Sequence, residues 1–232
     1  MKNSVSITIV SSRRDPSVTA SNKISSTKSA GPYVKRGLDV TFSVLFLLLF
    51  MPLFVALILL LVAAQGRPIL IAHRRIGKDG NFFSCLKFRT MITNADEILH
   101  THLAVNSNAR REWEEAQKLK DDPRVTPVGR VMRRLSIDEL PQVINVIRGE
   151  MSLVGPRPIV PAEARFYGPD IHLYQSVRPG LTGSWQVGGR SDVSYSRRVQ
   201  MDVDYVTNWS LRRDLVILAK TVPAVLKARG SC

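Results

Sequence analysis

Between Val40 and Ala64 the chain runs for 25 residues without a charged side chain, mostly Leu, Val and Phe. A run this long exceeds what a soluble core helix needs and matches a membrane-inserted one. Drawn as a straight helix it reaches about 37 Å, against a hydrocarbon layer about 30 Å thick. Pro52 stands near its middle, where the missing amide and the ring's clash with the preceding turn predict a kink. Two arms of about 18 Å each are then long enough to enter one leaflet and return to the same face.

The flanks bear on that choice. Lys35 and Arg36 precede the run, and Arg67, Arg74, Arg75 and Lys78 follow it. Positive charge holds a loop on the cytoplasmic side, so basic residues at both ends favour a re-entrant hairpin with both ends cytoplasmic. A single span with a tolerated proline is the alternative reading. Residues 1–32 are rich in Ser, Thr and Lys and poor in large apolar side chains. That composition predicts a disordered tail rather than a secretory signal. The expected organisation is a tail over 1–32, a membrane-inserted helix broken near Pro52 over 33–66, and a cytoplasmic domain over 67–232.

That domain is expected to be a small mixed α/β fold, mostly α. Ile69–Ala72 and Phe82–Phe88 read as strands around a turn at Gly77–Gly80. Asn94–Leu103 and Ala109–Leu119 read as helices. An amphipathic helix carrying Leu140, Val143, Ile144 and Ile147 stops at Gly149. Near the end, Leu211, Leu215, Leu218, Ala219 and Val222 form an apolar stripe beside Arg212, Arg213 and Lys220. Such a helix suits the headgroup plane or the surface of the domain's own core. The net charge of +14 calls for an anionic partner. The two cysteines, Cys85 and Cys232, match neither a zinc site nor a disulfide framework. No Walker loop or dinucleotide fingerprint is present. Exposed aromatics interleaved with basic residues are missing too, which argues against nucleic acid.

The stretch Arg133-Arg134-Leu135-Ser136-Ile137-Asp138-Glu139-Leu140-Pro141-Gln142 is the most informative for chemistry. Pro141 is tolerated only in a first helical turn, so Asp138 and Glu139 lie at a helix start. Ser136 and Glu139 there read as a capping box. Equally, a carboxylate beside so many arginines can bind Mg²⁺ or attack phosphorus. Arg157 stands between Pro156 and Pro158, either as a rigid phosphate clamp or as a solvated turn residue. Arg178 to Arg190 mixes glycines, arginines and hydrogen-bonding side chains, suiting a nucleotide loop or a turn-rich connection.

Six segments taken together resemble the bacterial sugar transferase family, the monotopic polyprenyl-phosphate phosphoglycosyl transferases. They are Lys87-Phe88-Arg89-Thr90-Met91, Asp122-Pro123-Arg124-Val125-Thr126, Leu135 to Gln142, Gly149-Glu150-Met151-Ser152, Val154-Gly155-Pro156-Arg157-Pro158, and Arg178 to Arg190. The likeness covers roughly residues 33–229, in the family's order. It implies a phosphotransferase of the bacterial inner membrane that initiates exopolysaccharide assembly, moving hexose-1-phosphate from a UDP-hexose to undecaprenyl phosphate. It further implies Mg²⁺ held by Asp138 and Glu139, Asp138 as nucleophile, and release of UMP. Lys87, Arg89, Arg157 and Arg190 match positions around the phosphates. Inner membrane lipids and downstream glycosyltransferases are the implied partners. A subgroup likeness around Ser184-Trp185-Gln186 points to galactose first and glucose next. The family's Ser-Pro helix break reads Met51-Pro52 here, which weakens the hairpin expectation. The competing reading is a membrane-anchored regulator without catalysis, for which a retained Asp138–Glu139 pair has no use.

Overall fold

The computed structural model describes residues 31–116, 119–189 and 193–226. The first element, α1, is a continuous helix over Gly31–Gln65 with Pro52 inside it. The tail expected over 1–32 falls outside the described residues up to residue 30, and α1 already begins at Gly31. Leu45, Leu48, Leu49, Met51, Leu53, Leu59 and Leu60 are all exposed. An apolar surface of that extent is stable only when covered, and α1 is long and apolar enough to anchor the chain in a membrane.

Both ends of α1 pack on the folded domain. At the N-terminal end, Lys35 Nζ donates to Asp214 Oδ2 at 2.6 Å and to the Val154 carbonyl at 3.0 Å. Arg36 donates to the Val146 and Ile147 carbonyls, and Asp39 accepts from Ser152 Oγ at 2.7 Å. At the C-terminal end, Phe54 and Leu61 pack with Phe88 and Met132. A straight helix sets positions 39 and 61 about 33 Å apart, and positions eight residues apart about 12 Å along the axis. Phenylalanine side chains span part of that distance, and the rings of Phe46 and Phe54 lie 6.4 Å apart. Pro52 stands between them, where the missing amide favours a kink.

The domain begins with an antiparallel hairpin, β1 (Leu70–Ile76) and β2 (Phe82–Phe88), paired from Leu70↔Phe88 to Ile76↔Phe82. The first strand runs four residues beyond its expected end at Ala72. Helices α2 (Ala95–Val105) and α3 (Ser107–Ala116) form their own cluster around Leu99 and Ala109. Then comes α4 (Pro127–Arg134), which the sequence reading missed. Thr126 caps it by accepting from Gly129 N at 2.9 Å, and Pro127 occupies a first-turn position. Asp122 holds the approach by bonding Arg124 at 2.8 and 2.7 Å. A 3₁₀ turn, Ile137–Glu139, leads into α5 (Gln142–Arg148), which ends at Gly149 with φ +86°.

The second half contains more regular structure than its prolines and glycines suggest. Strands β3 (Ser152–Val154) and β4 (Gly180–Thr182) pair in parallel. Helices α6 (Ile171–Gln175), α7 (Ser184–Gly188), α8 (Tyr195–Thr207) and α9 (Leu211–Leu226) complete this half: α9 packs on both strands and on α7, and α8 packs on α6 and α7. In α9 the buried face carries Asp214 and Ile217, while Leu215 and Val222 from the expected stripe stay exposed. A Cβ at Gly155 would stand 2.7 Å from the Arg178 carbonyl and 2.9 Å from Gly180 N. Gly155→Ala is therefore expected to cost about 1–3 kcal/mol through backbone displacement. A drop of several degrees in thermal unfolding of the detergent-solubilised protein checks it.

Candidate active site

The alternation of the hairpin puts the cleft together. Lys87, Cys85 and Phe83 share one face of β2, and Arg75 lies opposite Phe83 on β1. Arg75, Cys85 and Lys87 thus line one side of a cleft. Glu139 and Gln142 close it from the 3₁₀ turn and the start of α5, and Arg157, Pro158, Leu181 and Gln186 from the far side. Lys87 Nζ donates to Glu139 Oε1 at 2.6 Å and stands 3.8 Å from Asp138 Oδ2.

The capping-box reading does not survive. Ser136 has a left-handed backbone (φ +57°, ψ +22°) and its side chain makes no capping bond. The Glu139 carboxylate is turned to Lys87. Such a conformation costs a serine on the order of 1 kcal/mol. Here it bends the chain sharply between α4 and the two acids. Arg133, at the end of α4, is anchored by Nε to Thr90 Oγ1 at 2.9 Å and adds positive charge near Asp138.

The two carboxyls sit in opposed environments. Burial pushes Asp138 above the ordinary aspartate range, reinforced by the Glu139 charge and only partly offset by Lys87 and Arg133. Burial also acts upward on Glu139, but Lys87, Arg157 and Arg75 outweigh it and hold that group below its usual range. Adjacent carboxyls split in this way suit different roles. Glu139 balances the lysine, while Asp138 is left as the more basic of the two carboxyls. Cys85 is buried, with its thiol pushed up to about 11 by desolvation, so it stays protonated and is unreactive at neutral pH.

Of the expected phosphate ligands, Lys87 and Arg157 meet in this cleft. Arg89 does not line it. Its guanidinium donates to the carbonyls of Gln65 and Gly66, where a cation satisfies the exposed end of α1. Arg190 lies outside the described residues. Arg75 was noted in the sequence only as a charge flanking the membrane segment. The hairpin register could have found it, since it shares a face with Lys87 across the turn.

Arg157 also borders a second cleft, lined by Ile159, Glu163, Tyr167, Trp185, Tyr195, Arg198 and Asp202. Asp202 is 2% exposed and accepts from the Tyr167 hydroxyl at 2.8 Å. A lone acid spaced three residues from Val199 and Tyr205 on the buried face of α8 was the signal available for it in the sequence.

Residues 30–228 match the family model described as bacterial sugar transferase, and the chain belongs to that family. It is 52% identical over 201 residues to the exopolysaccharide production protein ExoY of Sinorhizobium fredii, covering 87% of this chain and 89% of the relative. It is 46% identical over 204 residues to the undecaprenyl-phosphate galactose phosphotransferase of Salmonella typhimurium, covering 88% of this chain but 43% of that longer protein. A UDP-glucose:undecaprenyl-phosphate glucose-1-phosphate transferase of Caulobacter vibrioides is 42% identical over 200 residues, 83% of this chain and 69% of the relative.

Proposed function

We propose that this protein transfers hexose-1-phosphate from a UDP-hexose to undecaprenyl phosphate at the bacterial inner membrane, as the first step of exopolysaccharide repeat-unit assembly. The observation that carries the reading is the Lys87-bridged pair Asp138 and Glu139, in one cleft with Arg75 and Arg157. The names of the relatives support the substrate class. The subgroup likeness around Ser184-Trp185-Gln186 makes galactose the expected hexose, and glucose is the next, since a relative named for glucose stands at comparable identity.

In the first step an Asp138 oxygen attacks the sugar-bearing phosphorus. The bond from that phosphorus to the bridging oxygen breaks, and UMP leaves with the electron pair. In the second, an oxygen of the acceptor phosphate attacks the same phosphorus and the Asp138 carboxylate is restored. Lys87, Arg75 and Arg157 balance the charge of the phosphates. The donor set fits Mg²⁺, which commonly takes one or two carboxylates and completes its shell with substrate phosphates; Asp138 and Glu139 would hold it. When bound, the ion neutralises charge on the diphosphate.

Purified protein given a panel of UDP-sugars, Mg²⁺ and polyprenyl phosphate is expected to release UMP. Labelled UMP should exchange into UDP-hexose before any lipid is added. Release of UDP would mean simple glycosyl transfer and a different reaction class. No release from any sugar would favour a non-catalytic regulator.

Pro52 within α1 and the docking of both ends of that helix on the domain support a re-entrant hairpin entering from the cytoplasmic face. The exposed Leu215 and Val222 of α9 support a second contact in the headgroup layer. In a background lacking Cys85 and Cys232, Ala20→Cys should resist a membrane-impermeant thiol reagent in intact cells and react after lysis. Labelling before lysis would place the N-terminus outside and make α1 a span.

A further inference from the structure

The second cleft meets the phosphate site at Arg157, and its other polar groups are arranged as a binding site of their own. Asp202 is almost completely buried and its Oδ2 is bonded to Tyr167. Its Oδ1 is also buried and makes no hydrogen bond to the described residues, although the Trp185 indole lies near enough to stabilise the charge. Burial raises this carboxyl to about 7, with Tyr167, Trp185 and Arg157 offsetting part of the cost. An unpaired buried oxygen is expensive, and native structures keep one where a ligand or water completes it.

The rest of the lining narrows the ligand class. Glu163 uses one oxygen on the Val160 amide at 2.9 Å, and Tyr195 brings a half-buried ring, packed against Phe166 at 4.4 Å. Arg198 lies over the Trp185 ring at 4.7 Å. Two carboxyls suit a ligand with several hydroxyl donors, whereas uracil offers them one N–H flanked by two carbonyl oxygens that they would repel. A polyol is therefore the matching class, and a UDP-hexose offers two, the hexose and the ribose.

Location separates these two. The cleft opens beside Arg157, which it shares with the reacting centre. Its walls come from the Pro161–Phe166 turn, α7 and α8, whereas α1 packs chiefly on α5 and β3. In-line attack brings the acceptor phosphate to the position UMP has left, so the lipid route and the nucleotide route share one side. The hexose alone stays bound through both steps, and it needs a pocket away from that route. Resting on the transfer reaction proposed above, we propose that the cleft of Asp202, Glu163, Trp185 and Tyr195 holds the hexose and selects it by its hydroxyls.

The test uses the full-length protein in two arms. In the Asp138→Asn background, which leaves UDP-hexose intact, calorimetry compares UDP-galactose, UDP-glucose and UDP. The favoured UDP-hexose should bind at least about tenfold more tightly than UDP, and adding Asp202→Asn or Glu163→Gln should erase that margin while leaving UDP affinity within about twofold. In the active enzyme the same substitutions should lower kcat/KM for the favoured sugar about 30-fold or more, bring the galactose-to-glucose ratio towards one and leave inhibition by UMP unchanged. Glu163→Gln, at a partly exposed position, guards against a folding defect in Asp202→Asn. Parallel loss of UDP and UMP affinity with unchanged sugar preference would make the cleft a nucleoside site and overturn the proposal. Equal binding of UDP and UDP-hexose by the Asp138→Asn protein would also overturn it. The binding arm does not depend on turnover, so a failure of the transfer reaction itself appears only in the second arm.

Discussion

Asp138→Asn is expected to reduce both UMP release and lipid-linked product to background, a loss of at least about 10³-fold, as is usual when a covalent nucleophile is removed. The substitution is nearly isosteric. It removes a charge that burial already disfavours, so the fold should remain at least as stable as before. The turn around Asp138 is held by backbone bonds from Glu139 N to the Ser136 carbonyl and from Leu140 N to the Ile137 carbonyl, which the variant leaves in place. Exchange of labelled UMP into UDP-hexose measures the first step alone, and thermal unfolding controls for structure. Near-normal exchange in this variant would return Asp138 to a structural role.

Lys87→Met should follow, with a fall of about 10²–10³-fold in kcat/KM, the scale seen when one charge-stabilising donor is lost. Lys87 is the leading cation opposing burial at both Asp138 and Glu139. Removing it raises the proton affinity of both carboxyls. The reactive form of Asp138 is the ionised one, so the acid limb of the pH–rate profile should move to higher pH. Folding is expected to persist, because methionine retains the methylene stem and the two carboxyls left behind can take up a proton. An unmoved acid limb with reduced rate would show that Lys87 serves the phosphates alone.

The site was only partly readable from the chain. Asp138, Glu139 and Arg157 stand out because the arginines and prolines around them already suit phosphate chemistry, whereas Lys87 is marked only by its place in a segment that resembles the family. Arg89 shared a segment with Lys87, but it sits just past the end of β2, where the terminal carbonyls of α1 offer closer partners than the cleft. Arg75 and Asp202 lie far from those segments in sequence. They reach the clefts through strand register and helix packing, which short motifs do not encode. The capping box at Ser136 failed for a related reason. Its residue spacing was right, but Lys87 on a distant strand attracts the Glu139 carboxylate more strongly than a local amide does.

The uncharged run from Val40 to Ala64, Pro52 within it and the hairpin around Gly77–Gly80 followed from sequence alone. Such features depend on local composition, periodicity and the covalent limits of proline and glycine. Tertiary structure decided the rest. Lys35 and Asp39 in α1 find Asp214 and Ser152 more than a hundred residues away. Gly155 and Gly180 meet backbone to backbone and set the path that leads to Arg157. Contacts of that separation are fixed only when the whole chain condenses. Shielding from water then makes buried charges such as Asp39 and Glu139 take partners that local spacing does not indicate.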